Sequence, residues 1–159
     1  MRRTSASVLF GLIAGCAGAP IANSFAGNST IPAPDAFTCV RDQVKALDWI
    51  QDSYDKDDFR VTAHKYDWNA RRPDVQFRRL VHRLSFDVDP GSGDALTTIH
   101  AQAATYAEYT TQRGPTEVQE RTAEEAKQAA QAVIRRCSEA PAPGPAAPAA
   151  PGPAGPGPQ

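Results

Sequence analysis

Apolar residues recur at spacings of three and four through Phe37, Val40, Val44 and Leu47, the period of a helix with one buried stripe. Asp35, directly after Pro34, is positioned to cap that helix. Beyond residue 48 the period shortens to two. Phe59, Val61 and Ala63 alternate with Arg60, Thr62 and His64, which predicts a strand over 59–66 with one wet face. A shorter strand is expected over 49–54, joined to it by an acidic turn within 52–58. Leu80, Leu84, Phe86 and Val88 mark a third strand, and Thr97, Ile99, Ala101 and Ala103 a fourth that extends to about residue 109. Between them Pro90, Gly91, Ser92 and Gly93 form a hairpin signal.

Gly114 and Pro115 then break the pattern before a last helix, whose stripe is Ala126, Ala130, Val133, Ile134 and Cys137. Two capping pairs compete for its start, Thr116 with Gln119 and Thr122 with Glu125. Glutamates in its first half and Arg135 and Arg136 at its end match the polarity of a helix dipole. The predicted order of helix, four antiparallel strands and helix gives an α+β two-layer sandwich, with the N- and C-terminal helices on one face of the sheet. Residues 35–138 supply enough chain for one modest core.

The flanks have a different character. Arg2 and Arg3 precede the apolar run 8–13, which is too short to span a bilayer and reads as an export leader. Ile13-Ala14-Gly15-Cys16 ends that leader in a sequence that resembles a bacterial lipoprotein signal, which implies removal of residues 1–15 and lipidation of Cys16. Ordinary cleavage after Ala26, at the small-x-small site Ser24-Phe25-Ala26, is the alternative. Residues 16–34, rich in Ala, Gly, Ser and Pro, read as a flexible tether with a reach of about 20–25 Å. Residues 139–159, almost entirely Pro, Ala and Gly beyond position 140, lack the apolar surface needed to offset ordering and are expected to be disordered.

Of three cysteines, Cys16 is assigned to the anchor, leaving Cys39 and Cys137 as an even pair in an oxidising compartment. A bond between them would close a loop of about a hundred residues and stabilise the fold by about 4–5 kcal/mol on a chain-entropy argument. Two independent buried thiols are the competing reading.

Four short stretches carry a further resemblance: Ala36-Phe37-Thr38-Cys39-Val40, Ala46-Leu47-Asp48-Trp49, Phe59-Arg60-Val61-Thr62-Ala63 and Arg136-Cys137-Ser138. Together with the leader they resemble small bacterial envelope lipoproteins over residues 12–138. The resemblance implies anchoring and fold, and it supplies no catalytic residue.

Candidate chemistry is sparse. His64, His82 and His100 fall on three different strands, with His82 in the phase of Leu84 and Phe86, so a shared metal is not expected. Asp52, Asp55, Asp57 and Asp58 lack the glycine and terminal glutamate of a calcium loop. No Gly-x-Ser-x-Gly elbow accompanies Ser85, and Cys39 is expected to be bonded, so neither offers an activated nucleophile. No catalytic residue, metal or cofactor is assigned.

The most suggestive surface is the basic and aromatic segment 64–83, with Arg71, Arg72, Arg78, Arg79 and Trp68 as a candidate for an anionic partner. Export disfavours nucleic acid there. The expected protein is a non-catalytic, membrane-anchored envelope lipoprotein acting as an accessory or interaction module. Its partners would be the membrane, through the lipid, and an envelope protein or anionic lipid. Its location would be the bacterial envelope, at the outer membrane facing the periplasm. A secreted or periplasmic binding or inhibitor domain is the alternative, and a metal-dependent or hydrolytic envelope enzyme the third reading.

Overall fold

The computed structural model describes residues 22–91 and 96–138. The leader, Cys16, the tail beyond 138 and residues 92–95 of the glycine-rich hinge lie outside the described residues. The elements are β1 (Asn23–Ser29), α1 (Ala33–Ala46), β2 (Ile50–Asp55), β3 (Arg60–Asp67), β4 (Phe77–Asp89), β5 (Thr97–Thr111), β6 (Gly114–Glu120) and α2 (Glu124–Ser138). The fold class is α+β as expected, but the sheet has six strands rather than four.

Strands β2 to β5 form an antiparallel meander, β2-β3-β4-β5. The far edge of β5 is shared. β1 pairs with its first half, Asn23 opposite Ala103 through Ser29 opposite Thr97, and β6 pairs with its second half, Glu120 opposite Thr105 through Gly114 opposite Thr111.

Both extra strands correct the sequence reading. The stretch 16–34 is not a tether throughout, because 23–29 is a strand and α1 begins at Ala33. Its small residues serve close packing instead of flexibility. A Cβ on Gly27 would stand 2.3 Å from Ile134 Cγ2, so only glycine lets β1 lie this close to α2. The stretch 116–120 likewise is a strand and not a helix start. Gly114, with φ +108°, turns the chain back from β5, and Thr111 Oγ1 donates to the Gly114 carbonyl at 2.6 Å. α2 then begins at Glu124.

The helices cover one face of the sheet. Phe37, Val40 and Val44 of α1 and Ala126, Ala130, Val133 and Ile134 of α2 share a buried cluster with Val61, Ala63, Leu84, Phe86, Val88, Ile99, Ala101 and Ala103. Trp49, at the junction of α1 and β2, is buried with them. Asp35 lies inside the first turn of α1, where its charge complements the dipole, and the N-cap position is Pro32.

Cys39 and Cys137 are bonded, with Cα atoms 5.7 Å apart across 98 positions of sequence, so the bridge joins α1 to α2. The end of α2 is also tied to β1. Ser29 Oγ donates to the Cys137 carbonyl at 2.8 Å and Thr30 N to the Ser138 carbonyl at 3.3 Å, satisfying acceptors that the helix leaves open.

Candidate functional site on the open face of the sheet

Alternation puts the odd-numbered residues of β3 and the even-numbered ones of β4 against the helices, leaving Thr62, His64 and Tyr66 with Val81, Arg83 and Ser85 on the open face. Gln102, Ala104 and Tyr106 of β5 and Glu117 and Gln119 of β6 continue this face. Together with Asp52 and Ala22 they line an open groove of about 600 Å³. That volume is in the range of small-molecule sites.

Asp52 reaches the groove through an irregularity. The pairing of β2 with β3 shifts register between Gln51 and Ser53, and the bulge turns Asp52 onto the same side as Ser53. There its Oδ1 contacts His64 Nδ1. His64 also packs against Tyr66, with ring centroids 4.6 Å apart. A carboxylate on Nδ1 fixes the ring and leaves Nε2 as the second hydrogen-bonding position.

A second bulge gathers the arginines. Register shifts between Phe77 and Arg79, and Arg78 and Arg79 both address Glu108, whose side chain is only 6% exposed. Arg79 donates to Glu108 Oε2 from Nε at 2.9 Å and Nη2 at 2.8 Å. Its guanidinium stacks on Tyr66, 3.7 Å from the ring centroid, and on Trp68 at 4.4 Å. Arg78 Nη1 lies 2.9 Å from Glu108 Oε1, but that oxygen receives no aligned hydrogen bond, so the contact is ionic. Arg83 spans Tyr106 and Glu117, reaching the carboxylate at 2.8 Å.

The candidate anionic-partner residues therefore divide. Arg78, Arg79 and Trp68 meet around Glu108, while Arg72 forks onto Glu120 and lies over Phe77. The Glu120 hydrogen bond raises the pKa of Arg72 above its ordinary value against a small desolvation. Arg71 donates to the carbonyls of Trp68 at 2.7 Å and Ala70 at 3.1 Å, within its own loop. Four of the segment's arginines thus share three carboxylates, and of these pairs only Arg83 with Glu117 lines the groove, beside Asp52, His64 and the rings of Tyr66 and Tyr106.

The three histidines separate as alternation predicts. His64 and His100 face the open side, and His100 Nε2 lies 3.2 Å from Asp89. His82 is buried beneath α2, with Nδ1 3.0 Å from Thr105 Oγ1, which also accepts the Ala123 N–H at the start of that helix. Burial pushes the His82 imidazole below its ordinary pKa, opposed by Glu125 and Asp67. Among the described residues no three His, Cys, Asp or Glu side chains converge as metal ligands. Ser85 shares the groove with His64, one pair further along the β3-β4 ladder.

No helix among the described residues is long and apolar enough to cross a membrane. No protein-family model matches the chain, and no curated protein matches it.

Proposed function

We propose that this chain is a non-catalytic envelope lipoprotein, held to the outer membrane through Cys16, whose open sheet face is a binding surface for an envelope partner. The observation that carries the anchored reading is the position of β1. Cleavage after Ala26 would remove Asn23–Ala26 and with them the pairs to residues 100–103 of β5. It would also remove Phe25, which packs against the core. Cleavage ahead of Cys16 leaves the sheet whole. A bond between Cys39 and Cys137 also fits an exported protein, since disulfides persist in oxidising compartments.

For the binding role the support is the groove, which combines two tyrosine walls with amide, hydroxyl and paired charged groups. Such a surface suits a neutral or zwitterionic partner better than a polyanion, because Arg83, the arginine in its lining, already holds Glu117. Mass spectrometry of the mature N-terminus tests the anchor, with a diacylated or triacylated Cys16 expected and a chain starting at Gly27 overturning it. Crosslinking in intact envelopes tests the groove. A photoreactive group at Gln102 is expected to capture a defined partner that the same group on the outer face of α2, at Gln131, does not.

A further inference from the structure

The molecule is polarised along the strands. At one end the turn after β2 carries Asp55, Asp57 and Asp58 against Lys56, all exposed, and Asp89 closes β4 beside it. At the other end lie the loop 68–76, between β3 and β4, and the turn 111–114, between β5 and β6. Here Trp68 is 57% exposed and Val75 97%, beside the exposed cations Arg71, Arg72 and Arg113 and one exposed carboxylate of the loop, Asp74. Arg71 and Arg113, also exposed, have no carboxylate within ion-pair distance among the described residues.

The direction of β1 ties this polarity to the anchor. Its first residue sits opposite Ala103 and its last opposite Thr97, so the strand starts at its end nearer the 111–114 turn. β6 already occupies the next stretch of the β5 edge, and the preceding residue, Ala22, lies at the groove. Six residues, 17–22, separate Cys16 from β1. Fully extended they span at most about 20 Å, less than a single small domain's diameter.

We propose that the end formed by loop 68–76 and turn 111–114 is a membrane-contact surface, with Trp68 and Val75 at headgroup level and Arg71 and Arg113 on lipid phosphates. This rests on the anchored reading above. Tryptophan favours the bilayer interface, arginines favour an anionic leaflet, and the aspartates at the far end are repelled from it. Asp67, just before Trp68, is level with Leu80 and Ala107, so Trp68 lies about 17 Å along the sheet from the start of β1, within the span of the connection from Cys16.

The test uses the chain beginning at Cys16, which is its one free thiol once Cys39 and Cys137 are bonded. Cys16 is coupled to a maleimide-headgroup lipid in vesicles of phosphatidylethanolamine and phosphatidylglycerol. Acrylamide quenching of Trp68 is read as the difference between the native chain and Trp68→Phe. Tethering is expected to lower the Trp68 quenching constant at least about two-fold relative to the untethered chain, as for an interfacial indole. Arg71→Glu with Arg113→Glu is expected to restore the untethered value. Unchanged quenching on tethering overturns the proposal. Because the coupling is chemical, this result is independent of acylation in the cell, which the mass of the native N-terminus decides separately.

Discussion

Gly27 of β1 lies so close to Ile134 of α2 that a Cβ on the glycine would come within 2.3 Å of Ile134 Cγ2. Gly27→Ala therefore forces β1 away from the helix or drives Ile134 out of its site. Overpacking of this kind costs about 1–3 kcal/mol. Thermal denaturation is expected to show the loss, and Ile134→Leu in the same chain, which removes the Cγ2 branch, should recover part of it by giving the new methyl room.

A chain that begins at Gly27 keeps only the last three β1 residues and exposes the β5 edge from residue 100 to 103. It is expected to melt at lower temperature than the chain beginning at Cys16 and to be cut faster by protease in β5. Equal melting of the two chains would remove the stability argument for cleavage ahead of Cys16.

Reduction of the Cys39–Cys137 bond releases a constraint across 98 positions. The expected loss is about 4–5 kcal/mol on the chain-entropy argument, lowered by any order left in the reduced unfolded chain. Urea unfolding with and without reductant measures it directly. A shift of under about 1 kcal/mol would mean that the helices are held by packing alone.

His82 makes stability depend on pH. Its pKa is lowered in the fold, chiefly by burial, from an ordinary value of 6.5. Above 6.5 neither state takes up a proton there. As pH falls below 6.5 the unfolded chain protonates first, so stability declines, with a slope of at most about 1.4 kcal/mol per pH unit until the folded pKa is reached. His82→Gln, which retains a group able to bond Thr105, is expected to flatten the stability profile in that window. An unchanged slope would assign the acid sensitivity to other groups.

Which parts of the fold could be read from the chain follows from the period of their buried positions. α1, α2 and β3 to β5 bury residues at a regular period, and they stand close to where periodicity puts them. β1 fully buries only the polar Ser29, with Phe25 half-buried against the core, and the fit of Gly27 depends on Ile134, more than a hundred positions away. β6 is exposed on both faces through most of its length, so it has no apolar period to detect. Gly114 was the usable signal, read as a helix boundary although it marks a hairpin.

For the site, the residue types were legible and their partners were not. Arg78, Arg79 and Trp68 stand out in sequence, but Glu108, which the two arginines share, is brought opposite only by the β4-β5 register. Asp52 reads as a solvated turn residue, and only the bulge in β2 aims it at His64. Bulges shift register by one residue, a change that composition does not record.

The division of the β5 edge between β1 and β6 also sets an order of assembly. β6 is a hairpin neighbour of β5, whereas β1 joins it across roughly seventy to eighty residues, so loop-closure entropy favours β6 first. Ala104 marks the seam where the later strand must stop. β1 is then the final piece to dock, and under the anchoring proposed above its docking leaves six residues between Cys16 and the sheet. Pulsed hydrogen exchange during refolding is expected to protect the β6 amides before those of β1. Completion of the sheet and the drawing of the domain toward its anchor would then be one event.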